Sequence, residues 1–206
     1  MTDDQFKAQV TKKHYVGTVY DSKARFCSYW HQIDETLRMK PVNVLEVGMG
    51  SGLVHERLKY YGLDARTLDI AADLKPDIQG SVTDIPVEGG SFDVIICCQV
   101  LEHLPYSQFP IALKELRRVA KKGCILSLPD VTAVNRYECP VFGGKRGFVS
   151  VNAQPKPHVF NGEHYWEIGK SETLIQQVTI DIETAWEINR EYRVFENPYH
   201  HFFILV

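Results

Sequence analysis

Long apolar runs are missing from this chain of 206 residues. A membrane-spanning helix needs roughly 20 consecutive apolar residues, so no span is expected. Positive charge is not in excess either: 23 Lys and Arg stand against 26 Asp and Glu, a net charge of −3. Binding to nucleic-acid phosphates needs the opposite balance, so no nucleic-acid partner is expected. Cysteine is scarce and lacks pairing spacing. Cys27, Cys97, Cys98, Cys124 and Cys139 are odd in number and contain no CxxC. That excludes a zinc knuckle and a thioredoxin-like site, and Cys97 and Cys98, inside the apolar run FDVIICCQVL, read as small buried hydrophobes in a reducing cytosol. The first ten residues, MTDDQFKAQV, are polar and acidic, unlike a signal peptide, which adds to a cytoplasmic expectation. Internal repeats and low-complexity tracts are absent.

What remains is the mixture of an ordinary globular protein, 44% hydrophobic and 24% charged. The length fits a single domain over 1–206. Its first 40 residues read as a helical cap, because Ser22 to Met39 has helical character. Phe26, Trp30, Ile33 and Leu37 recur there at helical spacing, with Ser22 as N-cap. After Pro41, strand and helix alternate. Val42–Val47 reads as a strand, Leu53–Tyr61 as a helix, Ala65–Leu68 as a strand, and Asp77–Val82 as a weak strand. Phe92–Cys98 is a strand apolar on both faces, Phe109–Ala120 an amphipathic helix, and Cys124–Leu128 a fifth strand. Such alternation predicts an α/β fold, a doubly wound and mostly parallel sheet covered by helices. Residues 129–169 are rich in Gly and Pro and read as one long irregular stretch, a lid or substrate insertion. Ser171–Val178 reads as a helix. Trp186–Glu196 and Tyr199–Val206 then read as an antiparallel strand pair. His200 and His201 fall in that last strand, where alternation would turn one of them to solvent.

Chemistry concentrates after the first strand. Gly48-Met49-Gly50-Ser51-Gly52 is a glycine-rich turn between a strand and a helix. Glycine permits positive φ and close backbone approach, and the helix offers free N–H groups. Asp69 closes the second strand, where a carboxylate can accept from both hydroxyls of a ribose. The alternative is a solvated turn residue or a helix cap. A dinucleotide fingerprint would place Gly or Ala where Leu53 stands.

The motif Val44-Leu45-Glu46-Val47-Gly48-Met49-Gly50-Ser51-Gly52 resembles the first motif of the class I S-adenosylmethionine-dependent methyltransferases. Gly80 to Pro86, Ser91-Phe92-Asp93, Val100 to Pro105, and Leu116 to Gly123 resemble later motifs of that family. The nearest subset is that of the small type 11 enzymes. The resemblance implies a Rossmann-like, seven-stranded sheet in the order 3-2-1-4-5-7-6 with the last strand antiparallel. It implies S-adenosyl-L-methionine as cofactor and S-adenosyl-L-homocysteine as product. It also implies roles. Gly48, Gly50 and Gly52, with Met49, would wrap the methionine part, and Glu46 would orient the turn from beneath. Asp69 would hold the ribose and Ile70 the adenine. Asp84 would accept from the adenine amino group, beside Val82 and Thr83. Gln99 would lie near the methionine amine.

No catalytic residue follows from the resemblance. His103, His158 and His164 are candidate bases, since imidazole titrates near neutral pH. Each has an ordinary alternative, a local hydrogen bond for His103 and loop packing for the other two. Acceptor contacts are expected from His103, Phe160, His164, Tyr165 and Trp166. No metal is expected, although His158, Glu163 and His164 could ligate one. Lys145-Arg146 reads as a solvated loop tip. The acceptor is expected to be a small molecule. Two other readings stay open: a non-catalytic nucleotide-binding or scaffold protein that kept the fold, and an NAD(P)-dependent oxidoreductase.

Overall fold

A computed structural model describes residues 11–139 and 144–206. The first ten residues and residues 140–143, part of the stretch expected to be irregular, lie outside the described residues. Nine strands and four α-helices are described. The strands β1 (Asn43–Val47), β2 (Asp64–Asp69), β3 (Ile78–Gln79), β4 (Phe92–Cys98) and β5 (Ala120–Pro129) pair in parallel. Two further strands, β6 (Val134–Cys139) and β7 (Lys145–Ser150), form their own antiparallel hairpin. The main sheet is completed by β8 (Ile188–Arg193) and β9 (His200–Leu205), and its order is β3-β2-β1-β4-β5-β9-β8. With the hairpin left out of the count, that is the order 3-2-1-4-5-7-6. Only β9 runs against its neighbours β5 and β8.

Helices cover both faces. On one side α1 (Lys23–Arg38) and α2 (Leu53–Tyr60) lie over Val44, Val94, Ile96 and Phe202. On the other, α3 (Phe109–Val119) and α4 (Ile175–Glu183) cover Leu45, Ile95, Cys97 and Leu126. Strand β4 is therefore dry on both faces, as its sequence requires. Among the described residues, no helix is long and apolar enough to cross a membrane.

Several expectations change. The Ser22 hydroxyl caps α1 by accepting from the Arg25 N–H at 3.3 Å. Yet the stripe of Phe26, Trp30 and Leu37 faces outward, and Ser28, Tyr29, Gln32, Glu35 and Thr36 are buried. The polar side wins because it finds partners. Glu35 meets the Arg190 guanidinium and accepts from the Tyr192 hydroxyl at 2.9 Å, and the Asn197 amide donates to Ser28 Oγ at 3.0 Å. His200 and His201 are both buried, since β9 lies between two strands and beneath helices. His201 pairs with Asp130 at 2.9 Å. Helix α4 begins later than expected, because Thr173 folds back and donates to the Glu167 carbonyl at 2.5 Å.

The 129–169 stretch is not uniformly irregular. Its β6–β7 hairpin leans on the β8–β9 turn. Phe148 meets Phe195 with ring centroids 5.8 Å apart, and Arg146 pairs with Glu196 at 2.6 Å. So Lys145 and Arg146, though exposed, open a strand rather than a loop tip.

Candidate functional site

The glycine turn leaves the end of β1 with three left-handed residues, Gly48, Gly50 and Gly52, at φ of 76°, 52° and 77°. A Cβ on Gly48 would also collide with the Val100 side chain, so glycine is required there twice over. Asp69, at the end of β2, fastens the turn. One carboxylate oxygen accepts from the Met49 N–H at 3.1 Å, the other from the Ala71 N–H at 2.8 Å. Each oxygen keeps a further lone pair for a ligand. Burial pushes its carboxyl above the usual range despite those bonds.

This turn forms one wall of a cavity of about 380 Å³. Gly48, Gly50, Asp69, Ile70, Val82 and Gln99 all line it, as expected. Gln99 takes a positive φ of 57°, and its side-chain amide turns away to donate to Ser127 Oγ at 3.3 Å. Thr83 and Asp84 do not line the cavity. Asp84 is exposed, and the bridge between Ser81 and Asp84 turns the chain so that Gly80, Ser81 and Val82 border it instead. The sequence reading missed Ser81, which sits three residues before the carboxylate that drew attention.

Beneath the turn, Glu46 and Met49 border a second chamber of about 30 Å³, room for about one water. Glu46 accepts from the His55 N–H of α2 at 3.0 Å and thereby ties β1 to the helix. Burial pushes its carboxyl up to about 8, so it is mostly protonated at neutral pH. Gly52 lines neither space and serves as N-cap of α2.

The opposite end of the cavity is made by other parts of the chain. Glu102 and His103 come from the turn after β4, and Phe160, Glu163, His164 and Tyr165 from the loop before α4. His103 Nδ1 lies 3.0 Å from the Glu163 carbonyl oxygen, and its ring meets that of His164 at 5.0 Å. Burial lowers the His103 pKa, which keeps the imidazole neutral at pH 7. His164 Nδ1 lies 3.1 Å from Glu167 Oε1, and the Tyr199 hydroxyl donates to the same oxygen at 2.6 Å. Glu102 is fully buried, and burial pushes its carboxyl up to about 8.

Two expected residues are elsewhere. Trp166 is 2% exposed and belongs to the core. Its indole N–H donates to the Leu104 carbonyl at 3.1 Å, and its ring packs on Tyr106 and Phe109 at 4.9 and 5.0 Å. Adjacent Tyr165 and Trp166 have different surroundings, the cavity for Tyr165 and the core for Trp166. His158 does not line the cavity; it holds the loop, with Nε2 2.8 Å from the His164 carbonyl oxygen. The set His158, Glu163 and His164 is not a ligand cluster among the described residues. Glu102, His103 and His164 are one: their ligand atoms lie within 4.8 Å of one another.

The N-terminal segment, read from the sequence as a helical cap, supplies a roof through residues that the sequence did not single out. His14, Tyr15, Tyr20 and Arg25 line the cavity. Tyr15 and Tyr20 meet edge to face at 5.0 Å, and the Arg25 guanidinium lies 4.0 Å from the Tyr20 ring centre. Only the density of aromatic and cationic residues in this short stretch could have marked it.

The methyltransferase domain family matches residues 45–128. The ubiquinone biosynthesis O-methyltransferase of Psychrobacter arcticus is 32% identical over 101 residues, which are 40% of this chain and 39% of that protein. The chain thus spans about two-fifths of the length of the curated relatives it matches. A protein of Pyrococcus horikoshii has a similar crystal structure, with a TM-score of 0.59 and 17% identity over 95% of this chain and 98% of that one. So has the Burkholderia thailandensis 1,6-didemethyltoxoflavin-N1-methyltransferase, solved with 1,6-didemethyltoxoflavin and S-adenosylhomocysteine. Its TM-score is 0.58 at 10% identity, covering 99% of this chain and 91% of that one. The stretch that resembles class I methyltransferases in sequence is the stretch that matches, and the fold is theirs.

Proposed function

We propose that this chain transfers a methyl group from S-adenosyl-L-methionine to a small-molecule acceptor. One observation carries the reading: the glycine turn, with Asp69 bound to its backbone, opens on a single cavity whose far end is closed by Glu102, His103 and His164. A turn of this kind at the carboxyl edge of a doubly wound sheet suits a nucleoside with a charged tail. The residues present fit such a group. Asp69 has lone pairs to spare for two ribose hydroxyls, Ile70 and Val82 flank a flat base, and the backbone of Gly48 and Gly50 allows close approach.

The cofactor, when bound, supplies a methyl group already activated by a positive sulfur. The protein then has to place an acceptor atom in line and keep water away. Phe160 and Tyr165, rings 4.7 Å apart, give that end apolar walls, and Tyr15 and Tyr20 cover the top. His103 and His164 stand where an acceptor proton could be taken, and both tautomers are set by their Nδ1 partners. A small acceptor suits a cavity of about 380 Å³ and an acidic chain. The relative from Psychrobacter arcticus is named for transfer to oxygen and the Burkholderia enzyme for transfer to nitrogen, so the likeness leaves the acceptor atom open.

Calorimetry with S-adenosylhomocysteine tests the binding half. One site per chain is expected, and no heat at millimolar ligand would overturn the reading. A metabolite screen that follows S-adenosylhomocysteine formation tests the transfer half. Binding without turnover on any acceptor would favour a non-catalytic protein, and quenching of nicotinamide fluorescence would favour an oxidoreductase.

A further inference from the structure

The histidine end of the cavity holds a fully buried carboxyl group, that of Glu102. Glu102 is 0% exposed, and neither Oε1 nor Oε2 has a hydrogen-bond partner among the described residues. A buried carboxylate left this way is costly unless a donor or a cation meets it. The nearby charges do not resolve this: Arg25 acts favourably at a distance, whereas Glu167 adds a second negative charge. Two imidazoles stand beside it, and the ligand atoms of Glu102, His103 and His164 fall within 4.8 Å of one another.

Both imidazoles are held in the tautomer that ligands need. A carbonyl oxygen only accepts, so His103 Nδ1 carries the proton it gives to Glu163, and the ring's lone pair is on Nε2. Tyr199 spends its proton on Glu167 Oε1, and the same oxygen, 3.1 Å from His164 Nδ1, accepts the Nδ1–H. Metal-ligating histidines commonly give their other N–H to a carbonyl or a carboxylate. Here one imidazole has each arrangement.

We infer that Glu102, His103 and His164 bind one divalent first-row transition cation inside this cavity. Two imidazoles and one carboxylate are the donors such ions take, whereas Mg²⁺ and Ca²⁺ prefer oxygen throughout. Ligand atoms about 2.1 Å from one ion lie roughly 3.3 Å apart, so atoms now as much as 4.8 Å apart must draw in by up to about 1.5 Å. Two of them share the Leu101–His103 turn, and the loop bearing His164 supplies the approach. Three protein ligands leave a coordination position open to the cavity. There a cation would hold the lone-pair atom of an acceptor, whose proton leaves to solvent, because with the cation bound both imidazole lone pairs are occupied and neither ring serves as base. This role rests on the methyltransferase reading; the binding of the cation does not.

The full chain, stripped with EDTA, is titrated with Co²⁺ and followed by calorimetry and by visible d–d absorption. One Co²⁺ per chain is expected, displaced by Zn²⁺. Glu102→Gln and His164→Ala should each weaken Co²⁺ binding at least tenfold with native circular dichroism. Glu167→Gln, a change at a positioning residue, should weaken it about tenfold and shift the d–d bands. If Glu102→Gln does not fold, His164→Ala carries the test alone. Absence of Co²⁺ binding at millimolar metal, or unchanged binding in every folded variant, overturns the inference. Co²⁺ binding without S-adenosylhomocysteine binding would retain the site and sink the methyltransferase reading. S-adenosylhomocysteine binding without Co²⁺ binding would do the reverse.

Discussion

The two ends of the cavity are built in different ways. The glycine-turn end comes from strand ends within residues 46–99, and its geometry is backbone geometry: positive φ at Gly48, Gly50 and Gln99, and a carboxylate that accepts from two main-chain N–H groups. The histidine end draws on three distant segments, 14–25, 102–104 and 160–165, together with Tyr199. Its geometry is side-chain geometry, a relay of Glu163, His103, His164, Glu167 and Tyr199 contacts. A ligand held by main-chain groups meets a site set by the fold, whereas one held by side chains can be exchanged by changing a loop. The first end therefore suits the invariant partner of a reaction and the second the variable one.

The sharpest way to break this comparison is at Trp166. If it walled the histidine end, its loss would spare stability. Its burial among Tyr106, Phe109 and Leu104 instead predicts that Trp166→Ala costs about 3–5 kcal/mol, with a large fall in melting temperature. An unchanged melting curve would move this residue back to the cavity. Next in size is Asp69→Ala. It removes the clamp on Met49 and the acceptor proposed above for two ribose hydroxyls, and charge-assisted bonds contribute roughly 1.5–3 kcal/mol each. Affinity for S-adenosylhomocysteine should fall at least tenfold in calorimetry while circular dichroism stays native. Equal affinity would detach the carboxylate from the ligand. The smallest effect belongs to Arg146→Ala, which removes a half-exposed ion pair to Glu196 and a contact 4.9 Å from the Phe195 ring centre. Stability should drop by no more than about 1 kcal/mol. Affinity for S-adenosylhomocysteine should stay within about threefold, because the hairpin borders neither end. A larger loss of affinity would couple the hairpin to the site.

Local rules made much of this protein legible. The two-faced apolar run Phe92–Cys98 can only be a covered parallel strand, and Gly48-Met49-Gly50-Ser51-Gly52 can only be a tight turn, so the sheet and one cavity wall follow from short stretches of sequence. Asp69 was readable because its position depends on a strand ending where its neighbours end. Asp84 was misplaced because one bridge, Ser81 to Asp84, rotates the chain by a few residues, and no periodicity records that.

What only the tertiary structure decided depends on partners far along the chain. The outward apolar stripe of α1 follows from Glu35 meeting Arg190 and Tyr192, more than 150 residues away. Trp166 is core and Tyr165 is cavity because Tyr106, Phe109 and the Leu104 carbonyl receive the indole, and only these packed neighbours decide which of the two adjacent rings goes inside. The meeting of Glu102 and His103 with His164 needs the loop before α4 to return over the end of β4. Sequence fixes what a residue can do with its neighbours along the chain; burial, and the partners that burial demands, are set only when the chain closes on itself.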